Sequence, residues 1–362
     1  MALEFASRHE TFPHYKTYQM ELAGRPLVVE TGKMCGLSNG SCLVRYGETV
    51  VLCNVTMSEK PREGIDFFPL SVEFEEKLYA VGRIPGSFMR REGRPGEKAI
   101  LTSRVVDRPI RPLFPKEMRN DVCVTMTVMS VDQDCSPEIT GMIGTSIALS
   151  ISEIPWKGPI GGVFMGLVDG ELVVNPTLEQ REKSDLQLTV AATEQKIVMI
   201  EAGANEVDET TMLNAIKMAH TEIKKVIAFI NSIVAEIGKP KVEFQSADLD
   251  MDLYHAVKDK YLDDFKAAMD TDDKNVRDAR LSPIRARLEE EYPDLDAATI
   301  ELIMYKMQKF VVRRWLLDEG KRVDGRGINE IRPLAAEVGI LPRVHGSGMF
   351  TRGQTQVLTT CT

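Results

Sequence analysis

The 362-residue sequence predicts an α/β core, followed by an all-α domain and then by the truncated start of a second core of the same kind. Short β-branched strands and apolar helices alternate up to about residue 240. Strand signals are absent from residues 245 to 319, where apolar residues recur at helical spacing. After residue 332, a strand–turn–strand pattern from the N-terminal region begins again. We therefore expect three parts, at residues 1–240, 241–320 and 321–362.

The composition is that of a soluble globular protein, with 43% apolar and 27% charged residues and a net charge of −9. No apolar run approaches the roughly 18 residues that a membrane span needs, and residues 1–15 lack the apolar stretch of a signal peptide. We expect a cytoplasmic protein that makes no membrane contact. The six cysteines form no C-x-x-C pair, which predicts reduced, mostly buried thiols and argues against structural zinc.

The first core opens with three strand-like runs. Residues 18–22 alternate with period two, and residues 27–30 and 49–53 are β-branched and apolar. Asn39-Gly40 and Tyr46-Gly47 mark the turns between strands. These features predict several short strands joined by turns.

The middle of the core alternates between strands and helices. A strand is predicted over 68–76, and a helix runs from about Glu97 to Asp107, where Pro109 should end it. Residues 121–131 form another alternating strand, and residues 139–151 are so apolar that they predict a buried helix.

The end of the core returns to strands, predicted at 160–168, 171–175 and 186–201. A long amphipathic helix follows over 206–237, and Gly238 with Pro240 provides its stop signal.

The helical domain is defined by two apolar series at helical spacing, and Gly320 ends it before a charged linker over 321–327. The series are Leu253, Val257, Tyr261, Phe265 and Met269, and then Ile300, Ile303, Met304, Met307, Val311, Trp315 and Leu316.

The repeat begins at Pro333-Leu334, which matches Pro26-Leu27. A match over a whole strand–turn–strand unit indicates a duplicated domain, although short β units also resemble each other by chance. If the repeat is real, Thr362 lies inside a strand, which predicts that the chain is truncated. The remaining matches are Glu337 and Gly339 with Glu30 and Gly32; Gly346-Ser347 with Gly40-Ser41 after a one-residue shift; and Gly353, Thr355, Val357-Leu358 and Thr362 with Gly47, Thr49, Val51-Leu52 and Thr56.

The segment 83–119 is strongly basic, with ten basic and four acidic residues in a chain of net charge −9. Its glycine-bracketed loop, 86–95, joins Phe88 to three arginines. An aromatic ring beside arginines is the pairing that binds single-stranded nucleic acid by base stacking and phosphate contact. The candidate RNA-binding residues are Phe88, Arg90, Arg91, Arg94, Arg104, Arg108 and Arg111.

Two alternatives remain open for this segment. The loop could be a solvated basic loop with Phe88 packed into the core. Arg104, Arg108 and Arg111 recur at four- and three-residue spacing, so they could equally form intramolecular pairs with Asp107 and neighbouring acids.

Other motifs for chemistry are weak. Residues 140–146 superficially resemble a phosphate-binding loop, but without a following lysine we favour simple helix packing. The five histidines are scattered, and no nucleophile–base motif or G-x-S-x-G occurs.

Three motifs carry a resemblance to a known family. They are Phe67-Phe68-Pro69-Leu70, the run from Gly82 to Pro95 (GRIPGSFMRREGRP), and the run from Asp107 to Phe114 (DRPIRPLF). With the Val323-Asp324-Gly325-Arg326 linker and Arg332-Pro333-Leu334, they closely resemble the polynucleotide phosphorylase family over the whole chain.

The resemblance implies two cores of the ribonuclease PH type (ribosomal protein S5 domain 2-like), separated by an all-helical domain. It implies a ring-shaped homotrimer whose central pore threads RNA, usually with KH and S1 modules at the C-terminal end. Phe88 and Arg90-Arg91 would lie on the loop that constricts the pore. Many members carry two adjacent phenylalanines there, whereas this chain has Phe88-Met89, so the stacking contribution of position 89 is in doubt.

The family's catalytic residues, two aspartates and a lysine around Mg²⁺, belong to the second core. In the first core, Gln187 stands where the metal-binding aspartate belongs and Thr189 where the lysine belongs. An amide coordinates Mg²⁺ poorly compared with a carboxylate. The resemblance therefore implies that this chain contains neither the catalytic nor the metal-binding residues, and that the missing second core binds Mg²⁺.

The leading hypothesis is a polyribonucleotide nucleotidyltransferase that degrades single-stranded mRNA from its 3′ end. Inorganic phosphate would attack the RNA, and nucleoside diphosphates would be released. Proteins of an RNA-degradation complex are further candidate partners. The alternative is a non-catalytic RNA-binding ring subunit of an exosome-like assembly.

Overall fold

The structure is a computed structural model that describes residues 12–62, 65, 67–86, 88–244, 246 and 249–362. The chain divides between residues 247 and 248 into two compact units, called unit 1 and unit 2 here. The finer division at residues 240 and 320 stays a prediction. The described residues include no helix long and apolar enough to cross a membrane.

Unit 1 contains a six-stranded sheet in the order β1-β2-β3-β4-β6-β5. Neighbouring strands are antiparallel except β5 and β6, which are parallel. The runs predicted as strands are confirmed. The strands are β1 (Lys16–Leu22), β2 (Arg25–Thr31), β3 (Gly40–Tyr46), β4 (Thr49–Pro61), β5 (Leu70–Glu76) and β6 (Asn120–Ser130).

A second, four-stranded antiparallel sheet has the order β10-β9-β7-β8. Its strands are β7 (Gly161–Val168), β8 (Glu171–Val174), β9 (Leu186–Ala192) and β10 (Ile197–Ala204). Four helices accompany the two sheets: α1 (Glu97–Ile110), α2 (Pro137–Ile151), α3 (Leu178–Lys183) and α4 (Glu209–Ile237).

Helix α2 lies at the centre of unit 1, where it contacts β3 and β4 of one sheet and β7 of the other. Every residue from Ile139 to Ile151 is buried, as its apolar sequence predicts. A Cβ atom on Gly144 would lie 2.5 Å from the Cys53 Sγ, so glycine is what allows helix and sheet to approach. The glycines within 140–146 therefore serve helix packing, which is the interpretation that the sequence analysis favours. They do not form a phosphate-binding loop.

The carboxyl end of α2 is satisfied by a lysine from far along the chain. The Lys241 Nζ donates to the carbonyls of Leu149, Ser150 and Ser152 at 2.8, 3.1 and 2.6 Å. The Lys239 backbone N–H donates to the Ile151 carbonyl at 3.0 Å. A cation here also opposes the negative end of the helix dipole. The segment after α4 thus completes the core of unit 1.

Three local predictions are corrected. Pro109 does not end α1, which continues to Ile110. Because proline has no N–H, α1 forgoes one hydrogen bond to the carbonyl four residues earlier in its last turn. The single strand predicted over 186–201 is wrong, because Thr193 N–H donates to the Lys196 carbonyl at 2.9 Å and turns the chain between β9 and β10. Helix α3 was not predicted, although Thr177 and Gln180 form its capping box.

Unit 2 contains the predicted helical domain. Its helices are α5 (Met251–Met269), α6 (Lys274–Glu291) and α7 (Ala297–Asp318), and a separate apolar core lies between them. A three-stranded antiparallel sheet follows, in the order β11 (Leu334–Val338), β12 (Gly346–Arg352) and β13 (Thr355–Cys361).

The structure supports the repeat, because this sheet has the same register as β2-β3-β4. Leu27 pairs with Tyr46 in the first copy, and Leu334 pairs with Arg352 in the second. Gly40 likewise pairs with Val55, and Gly346 with Cys361. The one-residue shift falls in the loop before β3 and β12, so the paired strands themselves match residue for residue.

Candidate nucleic-acid interface

The basic loop 83–96 connects a short 3₁₀ turn at Leu78–Val81 to the start of α1. Gly82 ends the turn with a φ of 70°, a conformation that favours glycine. The Glu92 Oε1 accepts a hydrogen bond of 3.0 Å from the Leu78 backbone N–H. The loop is therefore anchored at its base by a residue of its own. Ser87 lies outside the described residues.

Phe88 projects into solvent, with 99% of its surface exposed, and Met89 is 67% exposed. The alternative in which Phe88 packs into the core is therefore wrong. A fully exposed phenylalanine gains nothing from burial, but both faces of its ring are open to a stacking partner.

Arg90, Arg91 and Arg94 are exposed, and none of them forms an ion pair with any residue that the structure describes. Arg90 adopts a φ of 49°, in the left-handed region that non-glycine residues seldom occupy. Arg104, on α1, is also exposed and has no such pair. These four guanidinium groups keep their hydrogen-bond donors available for an anionic ligand.

Arg108 and Arg111 differ from the other four, because both are engaged inside unit 1. Arg108 forms an ion pair with Glu201. The Arg111 Nε donates to the Asp107 Oδ1 at 2.6 Å, and its Nη2 donates to the Leu70 carbonyl at 3.1 Å. Intramolecular pairing, one of the two alternatives left open by the sequence, is therefore confirmed for Arg108 and Arg111. Their contact with RNA stays a prediction.

A cleft lies beside the loop in unit 1, formed by two adjoining cavities of about 180 and 740 Å³. Thr189 of β9 is 6% exposed and lines the smaller cavity, where its Oγ1 lies 3.4 Å from the Glu138 Oε1. Burial raises the pKa of Glu138. The residues that line both cavities are Glu76, Lys98, Pro137 and Arg181.

Arg181 was not among the predicted site residues. It lies on α3, the helix that the sequence analysis missed, and donates to the Gln133 carbonyl. The capping box at Thr177 and Gln180 is the sequence signal that could have placed it.

The cleft does not fit a magnesium ion. Gln187 and Thr189, where the family resemblance would place a metal-binding aspartate and a lysine, offer a neutral amide and a neutral hydroxyl. Over the described part of the chain, no group of three or more Asp, Glu, His or Cys side chains is arranged to hold a metal ion.

Comparison with protein families gives three matches. Residues 23–155 match the 3′ exoribonuclease family, domain 1, and residues 158–222 match domain 2 of that family. Residues 252–327 match the RNA binding domain of polyribonucleotide nucleotidyltransferase.

Curated relatives named polyribonucleotide nucleotidyltransferase cover nearly the whole chain. The protein from Ruminiclostridium cellulolyticum is 58% identical over 352 residues, which are 96% of this chain and 50% of that protein. The protein from Lachnoclostridium phytofermentans is 54% identical over 96% of this chain and 50% of its own length. This chain thus spans about half the length of the curated relatives it matches.

Among solved structures, rice (Oryza sativa) Rrp46 is similar at 14% sequence identity with a TM-score of 0.47. The match covers 60% of this chain and 94% of that one.

Proposed function

The chain belongs to the polyribonucleotide nucleotidyltransferase family, and on that premise we propose that it is the RNA-binding half of a phosphorolytic 3′→5′ exoribonuclease. The enzyme would degrade single-stranded mRNA processively in the cytoplasm. It would consume inorganic phosphate and release nucleoside diphosphates. Its Mg²⁺-binding and catalytic residues would lie outside residues 1–362.

The observation that carries the proposal is the anchored loop in which an exposed Phe88 lies among arginines that form no ion pair within the described part of the chain. Single-stranded RNA offers base faces and a regular series of phosphates, and this loop offers one partner for each. Because stacking and phosphate contact are tolerant of sequence, such a loop suits an RNA strand that must move past it.

The assembly is part of the same proposal. Three copies would form a ring, with Phe88, Arg90 and Arg91 of each copy facing a central pore, and proteins of an RNA-degradation complex would be further partners. The first core would end near residue 240, the helical domain near residue 320, and the second core would begin after the linker 321–327. The roles of Arg94, Arg104, Arg108 and Arg111 in binding RNA belong to this proposal as well.

The first test concerns activity. Incubation of the 362-residue chain with poly(A), Mg²⁺ and phosphate should release no ADP, because Gln187 and Thr189 replace the metal-binding and lysine side chains. Clear release of ADP would show that the first core is itself a phosphorylase. It would contradict the proposal that this core has no catalytic activity.

The second test concerns Phe88. Replacement by alanine should weaken binding of single-stranded RNA by about 5- to 150-fold, the range expected for one lost base–aromatic stack. Phe88→Tyr keeps the ring and should retain the affinity. Because Phe88 is 99% exposed, the melting temperature should not change in either variant. A lower melting temperature with unchanged affinity would refute the stacking role.

The third test concerns the arginines. The double change Arg90→Ala with Arg91→Ala should lower the slope of log affinity against log salt by about 1.4, because each phosphate contact with a single strand contributes about 0.7. Arg62→Ala removes an arginine outside the basic segment that already pairs with Asp121 at 3.3 Å, so this control should keep the slope of the unchanged protein. An unchanged slope in the double variant would place the loop away from the RNA.

A further inference from the structure

The solvent-facing side of α7 carries aromatic and basic side chains at successive turns. Tyr305 is 58% exposed, and Lys309 and Arg313 are exposed one and two turns later. Steps of four residues place side chains on one helix face about 6 Å apart along the axis. We call Tyr305, Lys309 and Arg313 the α7 stripe. The opposite face is the buried one, formed by Ile300, Ile303, Met304, Met307, Val311 and Trp315.

The charge of this stripe contrasts with that of its surroundings. Between residues 249 and 320, the helical domain has 17 acidic and 12 basic residues. The segment 305–316 has four basic residues and no acidic one. An acidic domain therefore presents one positively charged face.

Most other cations of the helical domain are neutralised by a nearby carboxylate. Lys260, Lys266, Arg277, Arg285, Arg287 and Arg314 each form an ion pair of this kind. Lys309 and Arg313 form none with the residues that the structure describes; the Lys309 Nζ lies 5.6 Å from the centre of the Tyr305 ring. The two cations of the α7 stripe thus remain available to an external anion.

We propose that the α7 stripe binds single-stranded RNA, with Lys309 and Arg313 contacting phosphates and Tyr305 stacking on a base. This inference rests on the proposed function, and it assigns residues to the RNA binding for which the matching family model at 252–327 is named. RNA is favoured over an acidic protein because the stripe combines an exposed ring with the two cations. A carboxylate-rich partner would need only the cations, whereas single-stranded nucleic acid uses both.

The test compares two cations of the α7 stripe with two cations of the same domain that already have carboxylate partners. Lys309→Ala with Arg313→Ala should weaken binding of labelled oligo(A) by about 25-fold at roughly 0.1 M salt and lower the salt slope by about 1.4, since two phosphate contacts are lost. Lys260→Ala with Arg314→Ala also removes two positive charges, but these residues already pair with Glu291 at 2.6 Å and with Asp318 at 3.3 Å. The control variant should keep the slope of the unchanged protein.

Tyr305 gives an independent measurement. Tyr305→Ala should weaken oligo(A) binding by about 5- to 150-fold, and Tyr305→Phe should restore it, because stacking needs the ring and not the hydroxyl. Photo-crosslinking with 4-thiouridine-containing RNA should yield a crosslinked peptide that contains Tyr305. Loss of folding is excluded if the melting temperature of each variant matches that of the unchanged chain.

Three outcomes would overturn the inference. If the Lys309/Arg313 variant keeps its salt slope while the Arg90/Arg91 variant loses part of its own, the loop binds RNA and the α7 stripe does not. If the Lys309/Arg313 variant loses affinity for polyglutamate but not for oligo(A), the stripe binds an acidic protein. If neither pair affects RNA binding, the proposed function fails together with this inference.

Discussion

The two copies of the three-stranded sheet have the same pairing but opposite surroundings. In β3 of the first copy, alternate residues are fully buried beneath α2, whereas every residue of β11 and β13 in the second copy is exposed. The register is nonetheless the same from Leu27 and Leu334 to Gly40 and Gly346. The two copies thus share a register although, within the described residues, a helix covers only the first of them.

The turns explain the shared register. The Gly47 N–H donates to the Pro26 carbonyl at 3.1 Å, and the Gly353 N–H donates to the Pro333 carbonyl at 2.9 Å. The two glycines have φ values of 58° and 59°, which a β-branched residue would resist. A local turn sets the alignment, and the packed helix then adds stability.

The copies differ most where Tyr46 is replaced by Arg352. The Tyr46 hydroxyl donates to the Leu22 carbonyl at 3.1 Å, and Arg25 lies 5.9 Å from its ring centre. In the second copy, the counterpart of Arg25 is Arg332, which pairs with Asp324 at 3.3 Å. An aromatic anchor in one copy is thus replaced by a charge cluster in the other.

The largest expected difference between the two copies is in the stability lost when an equivalent leucine is replaced by alanine. Leu27→Ala removes a fully buried side chain and should lower the free energy of unfolding of unit 1 by about 2–5 kcal/mol. Leu334→Ala, at the equivalent position and 55% exposed, should change stability by about 0.5 kcal/mol or less. Urea unfolding of both variants measures the difference, and equal losses would mean that β11 is covered in solution.

The next prediction tests how closely the backbone at Gly40 and at the equivalent Gly346 approaches neighbouring atoms. A Cβ atom on Gly40 would lie 2.3 Å from the Ala148 carbonyl oxygen, whereas a Cβ atom on Gly346 would meet only the Cys361 Cβ at 3.5 Å. Gly40→Ala should therefore cost about 1–3 kcal/mol or more, and Gly346→Ala should be nearly neutral. Thermal melting distinguishes them, and a neutral Gly40→Ala would show that α2 can move away from the sheet.

The turn glycines should respond more alike. Alanine at Gly47 or Gly353 adopts a left-handed conformation that costs about 1–2 kcal/mol in either copy. Gly47→Ala should cost more, because its Cβ would lie 2.5 Å from the Cys135 Sγ, whereas Gly353→Ala meets the flexible Arg332 side chain at 3.2 Å. Amide hydrogen exchange of the flanking strands should be faster in both variants, because both pay the cost of the left-handed conformation. Unaffected exchange in both variants would show that these turns do not set the register.

The smallest effect is a pH dependence that arises in the linker 321–327, beside the second copy. Hydrogen bonds from Arg326 hold the pKa of Asp324 below its usual value. The carboxylate therefore contributes stability above the unfolded pKa of about 3.9, and the contribution is lost as pH falls through the lower folded pKa. The stability difference between the unchanged protein and Asp324→Asn, about 1 kcal/mol or less for a partly exposed pair, should shrink over that range. A constant difference would contradict this linkage.

Most elements could be predicted because their signals are local. Alternation located the strands around 18–22 and 121–131, and helical spacing located α5 and α7. The continuation of α1 past Pro109 and the turn at 193–196 were missed because both depend on context. A proline in the last helical turn removes one hydrogen bond without ending the helix, and the polar turn interrupts an otherwise continuous strand pattern.

The candidate site was less predictable than the fold. Sequence showed that residues 83–119 are basic, but it could not distinguish arginines with ion-pair partners from those without. Arg111 finds Asp107 one helical turn away, which spacing allowed, whereas Arg108 finds Glu201 on β10, which only the fold reveals. The exposure of Phe88 likewise follows from the loop's geometry and not from its residue types.

The lysine that caps α2 has a consequence for the order of events during synthesis. The carbonyls of Leu149, Ser150 and Ser152 must wait for Lys241, about 90 residues later in the chain. At translation rates of 5–20 residues per second, that interval lasts roughly 5–18 s. During it, the most apolar helix of the protein has an unsatisfied carboxyl end and lacks the α4 side of its packing. Unit 1 therefore cannot complete the carboxyl end of α2 until Lys241 has been synthesised, and we expect a period in which α2 is open to aggregation or to binding by a chaperone.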